Sequence, residues 1–225
     1  MSGRSSRREL VVLVAALAAC GKSGGKGKPE LDPAVVSKLA AKMAHEVPTP
    51  AAVRECTTAD FDGGMPLTFR SLMLVGGLKL PDRPEESEWI NPPELDAPAV
   101  RTLLANKDKT AVRQAAAEMM AAPFWIAYRV DYVNAPMALG VKELKIGTIG
   151  TRVIRYEKTG LPACVMVFNF QNDQKISDDA IEVSDKANID PAVAKILRDD
   201  LTQQWIKQAP RGPSAAASTT TPPAK

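Results

Sequence analysis

The run FWIAYRVDYV, residues 124–133, decides the fold. Phe124, Ile126, Tyr128, Val130 and Tyr132 fall on one side of an extended chain, with Arg129 and Asp131 on the other. Strict alternation of this kind is the period of a half-buried β-strand. The same period returns in ACVMVFNF, residues 163–170, where Cys164, Met166, Phe168 and Phe170 share a face. Between them, residues 143–157 form a second strand region, with Gly147 and Gly150 marking a bulge or kink. Lys158-Thr159-Gly160 turns the chain into the last strand. Neighbouring strands with short connections favour an antiparallel meander, here of about three to four strands.

Outward from the strands the period becomes helical. Asp32-Pro33 and Asp190-Pro191 are both start signals, an N-cap carboxylate followed by a proline whose φ is preset for the first turn. After the first, Val36, Leu39, Ala40 and Met43 recur at helical spacing; after the second, Val193, Leu197, Leu201 and Trp205 form one stripe. Residues 97–122 read as one bent helix or two, with a polar break at Asn106-Lys107-Asp108-Lys109. A shorter helix over 68–75 ends at Gly76-Gly77. The expected class is α+β, with N-terminal, central and C-terminal helices covering the aromatic face of the meander.

The chain start carries an address. VVLVAALAACGKSGG, residues 11–25, fits two incompatible motifs. As a phosphate-binding loop, Ala16 through Ser23 fails on its chemistry. Ala16 stands where the first glycine belongs, the interior is apolar, and Gly24, Gly25, Gly27 and Pro29 cannot supply the helix such a loop must open. As an export signal every residue has a role. Arg4, Arg7 and Arg8 make a basic start, and residues 10–19 an apolar run too short to span a bilayer. Leu17-Ala18-Ala19-Cys20 resembles the lipobox of the bacterial lipoprotein class. That resemblance implies lipidation of Cys20, cleavage before it, and acylation of the new N-terminus; two or more chains give stable anchoring. Gly21 after Cys20 resembles lipoproteins sent to the outer membrane, in a cell with two membranes. The expected location is its periplasmic face, with the inner membrane or the cell surface as alternatives. Ser6-Arg7-Arg8-Glu9-Leu10 also looks like a twin-arginine motif, so both Sec and twin-arginine export fit.

The organisation follows: signal peptide 1–19, lipidated Cys20 and a flexible Gly/Ser/Lys tether to residue 31, one domain over 32–208, and a disordered Pro/Ala/Ser/Thr tail over 209–225. The chain's 29 Lys and Arg against 26 Asp and Glu suggest mild basicity. Yet Arg4, Arg7, Arg8, Lys22, Lys26, Lys28, Arg211 and Lys225 all lie in the ends, leaving the body slightly acidic. A body without a basic cluster excludes nucleic acid as a partner.

Of three cysteines, lipidated Cys20 leaves Cys56 and Cys164 as a pair in a compartment that permits disulfides. The bond is expected over two buried free thiols. Chemistry is otherwise sparse. His45 is the only histidine and falls near the end of the first helix, where its neighbours Ala41 and Lys42 cannot accept its proton. Neither a Gly-x-Ser-x-Gly elbow nor a Cys-x-x-Cys pair occurs. Asp60-Phe61-Asp62-Gly63-Gly64 starts like a calcium loop, lacks the later acidic ligands, and reads as an Asp/Gly turn. No catalytic residue, metal site or cofactor is implied. The remaining candidate is LPDRPEESEWINPPELDAP, residues 80–98, where Glu86, Glu88, Trp89 and Ile90 combine an apolar anchor with acidic neighbours. It either docks a partner or pins a loop to the core. The expected function is a non-enzymatic, lipid-anchored envelope protein that binds or scaffolds an envelope protein or ligand. The alternative is a carboxylate-dependent hydrolase, which needs two Asp or Glu side chains converging in one cleft.

Overall fold

The computed structural model describes residues 29–80, 92–140, 143–173 and 189–210. Among these the strands are β1 (Arg54–Glu55), β2 (Met65–Thr68), β3 (Phe124–Asn134), β4 (Met137–Gly140), β5 (Glu143–Lys145), β6 (Thr148–Glu157) and β7 (Pro162–Gln171). The α-helices are α1 (Pro33–His45), α2 (Phe69–Val75), α3 (Pro98–Ala105), α4 (Lys109–Ala121) and α5 (Pro191–Gln208). The class is α+β. The sheet is not the antiparallel meander of three to four strands that the alternation suggested. It has five strands in the order β1-β7-β6-β3-β2, with a separate β4-β5 pair. The meander survives as the antiparallel trio β3-β6-β7, and β2 on β3 and β1 on β7 add parallel edges.

Both edge strands escape a periodicity search because they are short: β1 has two residues, and β2 is Met-Pro-Leu-Thr. A proline is tolerated in β2 because it lies at the sheet edge. Its carbonyl there accepts the N–H of Ala97 at 2.8 Å. Residues 97–122 resolve into two helices, with Asp108 capping the second through the N–H of Thr110 at 2.9 Å. Asp32 and Asp190 cap α1 and α5 by the same contact two residues on.

The helices divide between the sheet's faces, and this corrects the expectation that all of them cover the aromatic one. Phe124, Ile126, Tyr128 and Val130 share a core with Val153, Cys164, Phe170 and, from α5, Leu201 and Trp205. Trp205 is fully buried and meets Tyr128 edge-on at 6.5 Å. The helices α1–α4 pack on the other face, against Trp125, Ala127, Ile154, Tyr156 and Val165. Strand β3 is therefore buried on both faces along its first half, with Trp125 anchored by its indole N–H to the Met119 carbonyl at 3.1 Å. The molecule is layered as helices, sheet and a single long helix.

Cys56 and Cys164 are joined in a disulfide, with Cα atoms 5.1 Å apart, tying β1 to β7 under α5. Turning from β6 to β7, Gly160 takes φ +79°, a conformation that costs glycine nothing, and its N–H bonds the Glu157 carbonyl at 2.8 Å.

Candidate interaction surface on the open half of the sheet

The helices α1–α4 cover only half of their face. Register places Arg129 opposite Arg152 and Arg152 opposite Val167, on the same side as Ile154 and Tyr156; Arg129 reaches Phe69, the first residue of α2, and the Arg152 side chain is only 13% exposed. The alternation of β3 then breaks. Val130 pairs with Thr151, and the next pair is Tyr132 with Gly150, so Asp131 is an extra residue in a bulge. The bulge reverses the parity of everything after it. Val133 joins the aromatic core, while Tyr132 moves to the open face, opposite to the side that strict alternation gave it. There Tyr132 is 44% exposed and Val167 48% exposed, an apolar pair beside charged neighbours.

The extra residue also positions a network. Asp131 holds Arg152 in two bonds, Nε to Oδ2 at 2.5 Å and an Nη to Oδ1 at 2.6 Å. The third arm of Arg152 donates to the Pro48 carbonyl at 2.6 Å. Arg129 approaches Asp131 at 3.4 Å and lies over the Phe69 ring, 5.0 Å from its centre. Like charges directly opposite across a sheet repel; the Asp131 carboxylate relieves this and leaves one net positive charge on the face. Tyr132 lies across Gly150, where a Cβ would sit 2.1 Å from a ring carbon, and its hydroxyl donates to Asn169 Oδ1 at 2.9 Å. Nearby, Tyr156 is buried with its hydroxyl unpartnered among the described residues. Burial pushes its pKa up, against a downward pull from Arg129 and Arg152, so it stays protonated. Tyr and Arg are among the residue types enriched at interfaces, and Tyr132 and Val167 are the exposed side chains here.

On the opposite face, Asp60 makes two bonds to Arg54, at 2.6 and 3.0 Å, and accepts the N–H and hydroxyl of Thr57. These contacts, Arg54 foremost, hold its carboxyl well below the usual range. Arg155 adds a contact at 3.5 Å while stacking over Phe124 at 4.1 Å. The Asp-Phe-Asp-Gly-Gly stretch is thus a capped turn with Gly63 at φ +82°. Among the described residues no three His, Cys, Asp or Glu side chains gather as a metal site. An open hollow of about 610 Å³ lies where the chain enters the domain, lined by Glu30, Leu31, Asp32, Pro33, Lys109, Val112 and Arg113. Both of its acids are engaged, Asp32 as the α1 cap and Glu30 with Arg113 at 3.8 Å.

Of the residues singled out by sequence, Cys56 and Cys164 are brought together, and His45 is exposed as the last residue of α1. Cys20, Glu86, Glu88, Trp89 and Ile90 lie outside the described residues. What is visible of the acidic segment is its downstream stem. Asp96 is buried and accepts the Thr68 N–H at 2.6 Å and the Ser71 hydroxyl at 2.7 Å, at the start of α2. Sequence reasoning missed the Arg129–Asp131–Arg152 network; its one signal was a glycine, Gly150, in a strand otherwise rich in large residues.

These features define an α+β domain with a mixed sheet, part of one face being left uncovered by the described residues. No family model, curated protein or solved structure matches the chain.

Proposed function

We propose that this chain is a non-enzymatic bacterial lipoprotein, anchored through Cys20 to the cell envelope, most simply at the periplasmic face of the outer membrane. There it binds or scaffolds a partner. The observation that carries the reading is the sequence Leu17-Ala18-Ala19-Cys20 after a basic start and a short apolar run. One structural fact supports it. The Cys56–Cys164 bond suits an oxidising compartment. The exposed Tyr132 and Val167, with the part-exposed Arg129 on the same face, offer contact chemistry for the partner. The acidic segment with Glu86, Glu88, Trp89 and Ile90 is a second contact candidate. The test is Cys20→Ser. The variant should leave the detergent phase for the aqueous one or remain uncleaved; partitioning and migrating like the parent would overturn the reading.

A further inference from the structure

Strand β7 pairs with β6 along its whole inner side. Its outer side is different. The β1 ladder reaches only Cys164 and Val165, and ends where the Cys56 N–H bonds the Val165 carbonyl at 2.8 Å. Alternate residues of a strand turn their N–H and C=O groups to the same side. Since Val165 faces outward, Val167, Asn169 and Gln171 do too. At the far end, the Gln171 carbonyl accepts Gln204 Nε2 from α5 at 3.0 Å. The edge is therefore closed at both ends, by the disulfide-held β1 and by Gln204. Between these, the N–H and C=O of Val167 and Asn169 have no partner among the described residues.

Met166-Val167-Phe168-Asn169-Phe170-Gln171 contains no charge and no proline. Exposed sheet edges in free-standing domains are usually protected by lysine, proline or a bulge. The opposite edge, β2, has such protection in Pro66 and in the Ala97 N–H that covers its carbonyl. Between the covered carbonyls of Val165 and Gln171, the β7 edge has none.

We propose that the outer edge of β7, from Met166 to Gln171, receives an extended, uncharged segment of a partner protein as a sixth strand. This rests on the partner-binding reading above and names its mode, which is strand addition: main-chain bonds give affinity and alternate side chains give selection. One set of the partner's side chains would lie beside Met166 and Phe168, which favours apolar residues there. The other set would lie beside Val167 and Asn169, at the border of the open face. The absence of charge along the edge selects against a charged strand. Area argues against a second copy as the occupant. A six-residue strand is about 20 Å long in a sheet about 10 Å thick. Edge-to-edge pairing of two folded copies would then bury on the order of 400 Å², where stable association takes about 1,200 Å² or more. A peptide can follow the surface on either side of the edge and is not so limited.

The experiment uses the whole chain and a synthetic probe, ten residues of alternating Thr and Val with a Lys at each end. Amide hydrogen exchange is read at Val167 and Asn169 by NMR. Both amides should exchange fast in the free protein and at least tenfold more slowly with saturating probe. Val167→Pro removes one outward donor without touching the β6 ladder, and Val167→Lys puts a charge on the edge. Both should weaken the probe at least tenfold with the circular dichroism unchanged, whereas Val167→Ala should bind as the parent does. Protection without probe overturns the proposal: if independent of protein concentration, the chain covers its own edge; if rising with concentration, a second copy does. Probe binding that leaves both amides unprotected also overturns it. In crosslinked envelopes, equal partner recovery by the parent and Val167→Pro removes the edge but leaves partner binding standing. Recovery of no partner by either removes the function reading itself.

Discussion

Replacing Cys56 and Cys164 together by alanine tests how the parallel edge is held. The bond spans 108 residues of sequence and encloses everything from β2 to β6. In the chain-entropy model, closing a loop of that length restricts the unfolded chain by about 4.8 kcal/mol at 25 °C, and native disulfides generally give about 2–5. The loss should also show locally. Strand β1 has only two paired residues, so without the bond its attachment falls to a few main-chain contacts. Urea unfolding of the oxidised parent and the double variant should differ by about 2–5 kcal/mol. The m-value should rise in the variant, because an unlinked chain exposes more surface when unfolded. Coincident midpoints with equal m-values would refute the reasoning, as would free thiols at both positions in exported protein.

The other predictions are narrower. Gly150→Ala should push the Tyr132 ring off the sheet and cost about 1 kcal/mol through the lost hydrogen bond to Asn169; NMR shifts of the ring that match the parent would contradict this. Asp60 has a lowered pKa in the folded state, so its contribution is present above the unfolded pKa of about 3.9 and lost as pH falls below it. Asp96 runs the other way. Burial raises its pKa, so its stabilising contribution is complete at low pH and lost as pH rises through the folded value. The acid-side fall in stability should therefore be smaller in Asp60→Asn, with the share from Asp200 remaining, and Asp96→Asn should gain relative stability toward neutral pH, both read by denaturant titration. His45→Ala should leave partner recovery unchanged, whereas Trp89→Ala with charge reversal at Glu86 and Glu88 should reduce it if that segment is a contact.

The helices were legible because capping is local. Asp32-Pro33 and Asp190-Pro191 announce the starts of α1 and α5 where the structure has them. The long strands were legible for the same reason, and so was the shared face of Phe124, Ile126, Tyr128 and Val130. The misreadings came from non-local causes. Arg129 and Asp131 made the second face of β3 look solvated, but helices from elsewhere in the chain bury Trp125 and Ala127 on that same face. A two-residue strand such as β1 has no period to detect, and it lies beside β7 next to the Cys56–Cys164 bond. The bulge at Asp131 leaves perfect alternation in the sequence and reverses it in space, so Tyr132 and the arginine pair could not be placed without the register.

The proposed anchor lies at the N-terminus, and the mass of the first peptide is its most direct measurement. Full-length protein expressed in a diderm bacterium, extracted from the envelope and digested, should yield a first peptide beginning at Cys20. Its mass should exceed that of the unmodified sequence by a diacylglyceryl group and an N-acyl chain. A first peptide beginning at Met1 or Ser2, or an unmodified Cys20 inside a longer one, would contradict the anchor and the function built on it.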